Sequence, residues 1–219
     1  MIAVFLEKIG RLVLYWLTGI GKVVLLLVDT LRYIKDMKLR HMINQMALLG
    51  VDSLPIIVVT ILFTGMVMTL QIAHEFIKYG AQASVGGVIT IAMGRELSPV
   101  LAGVVAAGRV GAAITAEIGS MKVTEQIDAL RVMATNPVAY LVAPRFTACV
   151  IMLPILVIFA DIAGIIGGYV VATTYSGISS YTYVHSIKVF AILHDITGGL
   201  VKASFFGGIV WKQDRSYFV

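Results

Sequence analysis

Seven charged side chains lie inside otherwise apolar segments of the sequence, and four of them, Arg95, Glu96, Asp195 and Lys202, are the first candidates for chemistry. Arg95 and Glu96 are adjacent in one segment. Asp195 and Lys202 lie seven residues apart in another, two helical turns along one face. A charge at the centre of a membrane-spanning helix costs about 2.5–3.5 kcal/mol on insertion scales, so each needs a cavity or an opposite charge. We predict a Glu96–Lys202 or an Arg95–Asp195 pair between segments, which either serves a polar ligand or only neutralises the charges.

Pro99 predicts a break in the segment that carries Arg95 and Glu96. Proline has no backbone N–H, so the carbonyl of Arg95 lacks its usual α-helical donor four residues on. Neighbouring residues on a helix point about 100° apart, which argues against pairing of Arg95 with Glu96. We expect the broken backbone to line a cavity, because a membrane tolerates irregular backbone only where protein or water covers it.

Signatures of catalytic and metal sites are missing from the sequence. It contains no GxxxxGK[ST] phosphate-binding loop, no HExxH pair and no GxSxG elbow. Cys149 is the single cysteine, has no Cys or His at metal-ligand spacing, and is predicted to be a packing residue. We predict that the chain is not an enzyme and binds no cofactor, and that another subunit binds and hydrolyses any ATP that is used.

The composition indicates that lipid is the solvent for most of the chain. Hydrophobic residues make up 59% of the 219 residues and charged residues 13%, and the mean hydropathy is +0.94. A soluble domain averages about 45–50% apolar and about 25% charged residues, so a soluble or disordered protein is excluded. The net charge of +5 fits basic residues that flank membrane segments, and we predict no nucleic-acid partner.

The apolar segments predict an all-α membrane protein with about four to five transmembrane helices. Residues 1–35 have helical apolar spacing, but their longest uncharged run, 12–21, is shorter than the roughly 20 residues of a span. We predict an amphipathic helix in the membrane interface there, with packing against other spans as the alternative. The following parts are a polar connector at 36–53, a transmembrane domain at 54–211 with apolar segments at 54–73, 84–116, 146–174 and 187–211, and a tail at 212–219.

The distribution of basic residues predicts the orientation. With the N-terminus in the cytoplasm, the cytoplasmic segments carry twelve Lys and Arg residues, whereas the opposite loops carry only Lys78. Cytoplasmic loops of membrane proteins carry the excess of basic residues, so we predict a multi-pass protein with a cytoplasmic N-terminus.

A short amphipathic helix is predicted at 121–134, in the basic loop between two spans. Its apolar face is formed by Val123, Ile127, Leu130 and Met133 or Ala134. Glu125, Asp128 and Arg131 lie around the rest. Asn136-Pro137 is expected to end it. The apolar face can lie on lipid or dock into a groove of a partner protein, and the residues alone favour neither.

Small residues four apart predict a tight helix bundle and a homodimer. Gly103 with Ala107 and Gly108 with Ala112 form such steps in the second segment, and Gly164 with Gly168 forms one in the third. Steps of this kind let helix backbones approach closely in a membrane.

Three sequence blocks resemble the MlaE family of ABC-transporter permeases. They are GRELSPVLAG at 94–103, AGRVGAA at 107–113 and AEIGSMKVTEQIDAL at 116–130. Asn136-Pro137 and the VAPR at 142–145 continue the similarity, which covers nearly the whole chain. Family members usually continue into another span that 212–219 do not resemble, so the tail is predicted to be a truncated end.

The resemblance implies a membrane-spanning permease subunit that forms a homodimer in the inner membrane of Gram-negative bacteria. It implies a cytoplasmic MlaF-like ATPase, a STAS-domain MlaB-like protein and an MCE-domain MlaD-like protein as partners. The assembly moves phospholipids between inner and outer membranes and so maintains outer-membrane lipid asymmetry. The resemblance also implies an interfacial N-terminal helix, and it makes 121–134 the coupling helix that docks on the ATPase.

The resemblance further implies that Arg95, Glu96, Asp195 and Lys202 lie in or near a lipid pocket that opens at the dimer interface. A cation such as Lys202 or Arg95 would favour the anionic headgroup, and apolar walls would hold the acyl chains. Two rival functions stay open: a secondary transporter that uses Glu96, Asp195 and Lys202 as a proton relay, and a subunit that only anchors partners.

Overall fold

A computed structural model of the chain describes residues 2–34, 39–133 and 138–210. Within these residues the regular structure is helical throughout, which confirms the predicted all-α class. The α-helices are α1 (Ile2–Tyr33), α2 (Leu39–Gly50), α3 (Leu54–Lys78), α4 (Val85–Ala92), α5 (Ser98–Val123), α6 (Gln126–Val132), α7 (Ala143–Thr174), α8 (Ser180–Phe190) and α9 (Leu193–Val210). Short 3-10 turns occupy Val51–Ser53 and Gln82–Ser84, and π-helical turns occupy Met93–Leu97 and Val138–Val142.

Three helical stretches are long and apolar enough to cross a membrane: Leu39–Lys78, Gln82–Val123 and Tyr140–Thr174. Helices α8 and α9 pass the same test together but are bent by 75° at the break between them, so the described chain has three or four candidate spans. Helix α1 is not among these spans. The fourth apolar segment, predicted as one run at 187–211, is therefore divided between two helices.

The predicted polar connector at 36–53 is helical over its described residues 39–53. Helix α2 packs on α7, and Leu49 and Gly50 at its end are buried. A Cβ on Gly50 would lie 2.0 Å from the Cε of Met152 in α7, which shows how closely the two helices approach. This helix was not predicted, although Met42, Met46 and Leu49 recur at helical spacing, because the charges near its start favour a polar connector.

The predicted tight packing is confirmed where α3 crosses α7. A Cβ on Gly65 would lie 2.1 Å from the carbonyl oxygen of Gly164, and one on Gly167 would lie 2.4 Å from that of Leu62. The two backbones therefore touch without side chains between them, as small residues allow in membrane helices. Helix α7 is the centre of the bundle and also contacts α2, α5 and α9.

One helical segment consists of α4, the π-helical turn and α5, and another consists of α8 and α9. The two segments pack against each other along their length. Helix α4 lies on α8, and α5 lies on α9, while the π-helical turn Met93–Leu97 also contacts α9. The break between α8 and α9 lies at Ala191, whose backbone is extended (φ −75°, ψ 113°). The α8–α9 segment is sharply bent there, whereas Gln82–Val123 continues through the π-helical turn as one helical stretch.

The basic loop contains a shorter helix than the predicted 121–134. Residues 121–123 belong to the end of α5, and α6 covers Gln126–Val132. Glu125 in the turn between them has a left-handed backbone with φ 57°, a conformation that costs energy for a residue with a Cβ. The predicted helix end at Asn136-Pro137 and the tail at 212–219 lie outside the described residues.

Candidate ligand-binding site

The predicted break before α5 is present as the π-helical turn Met93–Leu97. Pro99 leaves the carbonyl of Arg95 without its α-helical donor, and Lys202 from α9 takes that place. Its Nζ donates to the carbonyl oxygen of Arg95 at 2.9 Å and to Oε1 of Glu96 at 2.5 Å. The predicted Glu96–Lys202 pair is therefore confirmed. Pro99 indicated from the sequence that the carbonyl of Arg95 lacks its usual donor, but not that Lys202 donates to this carbonyl.

The second predicted pair, Arg95–Asp195, is also confirmed. Nε and Nη2 of Arg95 both lie 2.5 Å from Oδ1 of Asp195. The other carboxylate oxygen accepts the backbone N–H of Ile192 at 3.4 Å, while the N–H of Asp195 donates to the carbonyl of Ile192 at 2.9 Å. Asp195 therefore stabilises the first turn of α9 just after the bend and holds the π-helical turn against it.

These four residues, Arg95, Glu96, Asp195 and Lys202, form a charged quartet with no net charge. Arg95 lies 13 residues beyond Gln82, the start of its membrane-length stretch, or about 20 Å along a helix. That depth lies within a hydrocarbon core about 30 Å thick. Asp195 is buried, with 5% of its side chain exposed, but Arg95, Glu96 and Lys202 are 53%, 66% and 44% exposed. Half-exposed charges at this depth are incompatible with acyl chains, so this face must border a polar cavity or another protein.

A break in a membrane helix next to paired charges is a recurrent arrangement for binding. π-Helical turns occur often at functional sites, and transporters place substrate sites near the midplane, between discontinuous helices. Both features meet at the charged quartet. Among the residues described, no three His, Cys, Asp or Glu side chains lie close enough together to hold a metal ion. The paired charges of the quartet match a polar or ionic ligand.

The predicted apolar face of 121–134 is divided between residues that pack on this chain and residues that stay exposed. Ile127 is buried in the core of this chain and Leu130 packs partly against it, so neither is free for a partner. Val123 stays exposed, together with Val132 and Met133. Sequence periodicity had placed Val132 outside the apolar face.

The charged residues predicted on α6 are only partly described. Glu125 and Asp128 are exposed, and Glu125 occupies the turn that sets the direction of α6. The side chain of Arg131 lies outside the described part of the chain.

Residues 42–212 match the family model described as Permease MlaE. The chain belongs to the MlaE permease family. The match contains the π-helical turn, the charged quartet and α6, whereas α1 precedes it. The resemblance seen in the three sequence blocks is thereby confirmed.

Relatives of this MlaE family member are named as probable ABC transporter permease proteins. One from Synechocystis is 45% identical over 171 residues, which cover 78% of this chain and 65% of the relative. One from Rickettsia typhi is 44% identical over 167 residues, covering 76% and 64%. One from Porphyra purpurea is 40% identical over 197 residues, covering 89% and 75%. The chain thus spans just under two thirds of the length of the two bacterial relatives.

Proposed function

We propose that this chain is the permease subunit of an ABC transporter that moves phospholipids between the inner and outer membranes, powered by a partner ATPase. The observation that supports this most is the charged quartet, a cluster of paired charges that joins the π-helical turn of one membrane-length stretch to the first turn of α9. Three of its four side chains are half exposed. A ligand with a charged headgroup and long apolar chains matches that setting better than a small ion or a wholly apolar molecule, because the charges are surrounded by exposed apolar residues.

The quartet suggests how a phospholipid would be held. Its charges are already paired, so a headgroup phosphate has to compete with Glu96 for the Nζ of Lys202. Val201 and Phe205 are exposed beside Lys202 on α9 and offer apolar surface for an acyl chain. Binding would then exchange one ion pair for another rather than leave a cation unpaired, which keeps its cost in a membrane low.

The ATPase would dock on the exposed apolar side chains of α6 and of the residues on either side of it. A short helix that presents apolar side chains at the end of a span is suited to a groove on a partner protein. We propose that Val123, Val132 and Met133 provide that surface and that Ile127 and Leu130 fix α6 to the bundle. In this arrangement a movement of the ATPase reaches α5 directly, because only the turn at Thr124 and Glu125 separates the two helices.

The remaining parts of the proposal come from the family resemblance and from the charge distribution. They are a homodimer, an MlaF-like ATPase, an MlaB-like STAS-domain protein and an MlaD-like MCE-domain protein in one assembly. The chain would lie in the inner membrane with its N-terminus in the cytoplasm, which is the side that the basic residues favour. Helix α1 would lie in the interface, where its exposed apolar side chains, including Trp16, contact lipid.

The lipid proposal predicts that Lys202→Glu lowers the amount of phospholipid that co-purifies with the protein several-fold, because the cation that meets the phosphate is lost. Mass spectrometry of lipids bound to the purified transporter measures this. Lys188→Glu is the matched control, since Lys188 is exposed on α8 and outside the quartet. If the correctly folded Lys202→Glu protein co-purifies with an unchanged amount of phospholipid, the lipid role of the quartet is contradicted.

The docking proposal predicts that Val132→Glu abolishes co-purification of the ATPase without changing the stability of the permease, because Val132 is 88% exposed. Ile127→Ala is the matched contrast. The Ile127 side chain is buried, so we expect its replacement by alanine to lower the free energy of unfolding by about 2–5 kcal/mol. It should keep ATPase binding in the protein that folds. Retained binding in Val132→Glu would contradict this docking surface.

Reconstituted vesicles separate the proposal from its two rivals. Lipid movement that needs the ATPase and ATP supports the permease. Movement that follows an ion gradient without the ATPase would support a secondary transporter. A complex that assembles but moves no lipid would support an anchor subunit.

A further inference from the structure

One acidic residue, Asp161, lies inside α7 at the depth of the charged quartet but does not belong to it. Asp161 precedes Thr174, the end of its membrane-length stretch, by 13 residues, or about 20 Å of helix. Arg95 lies the same number of residues from Gln82, and these two ends face the same side because consecutive spans alternate in direction. Asp161 therefore lies within a hydrocarbon core about 30 Å thick.

The carboxyl group of Asp161 is enclosed by protein. The residue is 9% exposed, and its Oδ1 is buried with no hydrogen-bond partner among the residues described. The hydroxyl of Ser98, the first residue of α5, adjoins this carboxyl group. Ser98 is fully buried, and its Oγ also lacks a partner in the described structure. These two oxygens can therefore be satisfied by each other but not by bulk solvent.

The two cations at this depth are already paired with other carboxylates. Arg95 pairs with Asp195, and Lys202 pairs with Glu96. No lysine, arginine or histidine of the described ranges forms a salt bridge with Asp161. An ionised Asp161 would thus be an uncompensated charge in a membrane interior, and a carboxyl group in that position takes up a proton instead.

The other titratable groups on the helices around α7 do not supply the missing counter-charge. α3 has none before His74, near its end, and α4 has none. Arg109, the next on α5 after Glu96, lies 14 residues beyond Arg95, or about 21 Å along the helix. The rest lie at a helix start, at exposed positions or in another hydrogen bond: Arg40 and His41 at the start of α2, exposed Lys188 and His194, and Tyr183, whose hydroxyl donates to the carbonyl oxygen of Ile165.

Asp161 and Ser98 lie where α7 meets the start of α5. Ser98 directly follows the π-helical turn Met93–Leu97. A Cβ on Gly164, one turn after Asp161, would overlap the Cε of Met93 in that turn. This face of α7 therefore lies against the turn that carries two members of the quartet. A hydrogen bond between Asp161 and Ser98 would join α7 to the first turn of α5.

We propose that Asp161 is a proton-binding site of the permease. The neutral carboxylic acid donates its proton to Oγ of Ser98 and so holds α7 against the start of α5. With this proton bound, the interior carries no net charge at this depth, because the quartet is balanced on its own. Loss of the proton would leave a bare carboxylate there and break the contact. This proton site does not depend on which ligand the quartet binds, so it stands if the lipid proposal fails.

Infrared spectroscopy of the full-length chain in detergent tests the proton. At neutral pH we expect the C=O stretch of a protonated carboxylic acid in the wild type and its loss in Asp161→Asn. Glu75→Gln is the control and should leave that band in place, because Glu75 is an exposed carboxylate paired with Lys78. Absence of the band from the wild type would overturn the proposal, whether or not the variant folds. A band that survives Asp161→Asn would also overturn it.

Thermal unfolding in detergent tests the effect of pH. Asparagine is neutral and matches aspartic acid in size, so Asp161→Asn should melt close to the wild type at neutral pH. Raising the pH into the alkaline range should lower the melting temperature of the wild type by more, because only the wild type then has to bury a carboxylate. A large difference at neutral pH, or the same pH dependence in both proteins, would contradict the proton site.

Serine variants test the partner of Asp161. Ser98→Ala should lower the melting temperature at neutral pH, because it leaves the acid without an acceptor. Ser204→Ala is the matched control, since the hydroxyl of Ser204 donates to the carbonyl oxygen of Leu200 within its own helix. Equal melting temperatures for these two variants would show that Ser98 does not accept the proton of Asp161.

Discussion

Replacing Arg95 with methionine is expected to lower the stability of the bundle by about 3–5 kcal/mol, which is the usual cost of leaving a buried charge unpaired. The reason is that the two side chains of this ion pair differ in burial. Asp195 is buried and depends on Arg95, whereas Arg95 is half exposed and can reach another polar group. Asp195→Leu should therefore cost less than Arg95→Met, although both break the same ion pair.

Thermal unfolding of the purified chain in detergent measures the two variants and the double variant Arg95→Met with Asp195→Leu. The double variant should be more stable than Arg95→Met alone, because it leaves no buried carboxylate without a partner. Lys78→Met serves as the control, since the Lys78–Glu75 pair is exposed on both sides and should contribute little. If Asp195→Leu proves the more damaging single change, the assignment of Asp195 as the buried partner is wrong.

Two adjacent glycines in α9 should respond oppositely to alanine. Gly198 has open space where a Cβ would stand, so Gly198→Ala should stabilise the helix by about 0.5–1 kcal/mol. A Cβ on Gly199 would lie 2.0 Å from the carbonyl oxygen of Gly94 in the π-helical turn. Backbone cannot move aside as a side chain can, so Gly199→Ala should cost about 3 kcal/mol or more.

The same experiment has a functional readout. Moving α9 away from the turn at Gly94 also moves Lys202 away from the carbonyl of Arg95, so Gly199→Ala should lose co-purified lipid as Lys202→Glu does. Gly198→Ala changes the chain by the same methyl group and should keep its lipid. Equal melting temperatures for the two variants would show that α9 does not rest on the π-helical turn as the structure has it.

Structural features could be predicted from the sequence where a single physical requirement allows few arrangements of the residues. Charges in apolar segments are few and must find partners, so both pairs of the charged quartet could be predicted without knowing how the helices pack. Pro99 marked the break for a similar reason, since proline lacks a backbone N–H however the helices pack. The steps of small residues predicted close contact, but not that Gly65 and Gly164 would be the partners.

Features that depend on packing between helices could not be predicted. The bend at Ala191 has no proline or glycine to mark it, and it is stabilised by Asp195, whose pairing with Arg95 brings a distant segment into contact. The spacing of Ile127 and Leu130 showed that they share a face with Val123, but spacing does not tell which neighbour covers a face. Arg145 follows Pro144, a favoured residue at a helix start, and pairs with Glu117, but no spacing in the sequence indicated that pair.

The helices of this protein are held together by two kinds of contact. α3 and α7 run through the bundle and touch backbone to backbone, so neither can slide without separating from the other. The π-helical turn Met93–Leu97 and the first turn of α9 are instead joined by the ion pairs of the quartet, and of these two segments only the one formed by α8 and α9 is sharply bent, at Ala191. Ion pairs can exchange partners, whereas packed glycine backbones cannot, so we expect the contact between α3 and α7 to persist when the quartet exchanges an ion pair for a ligand.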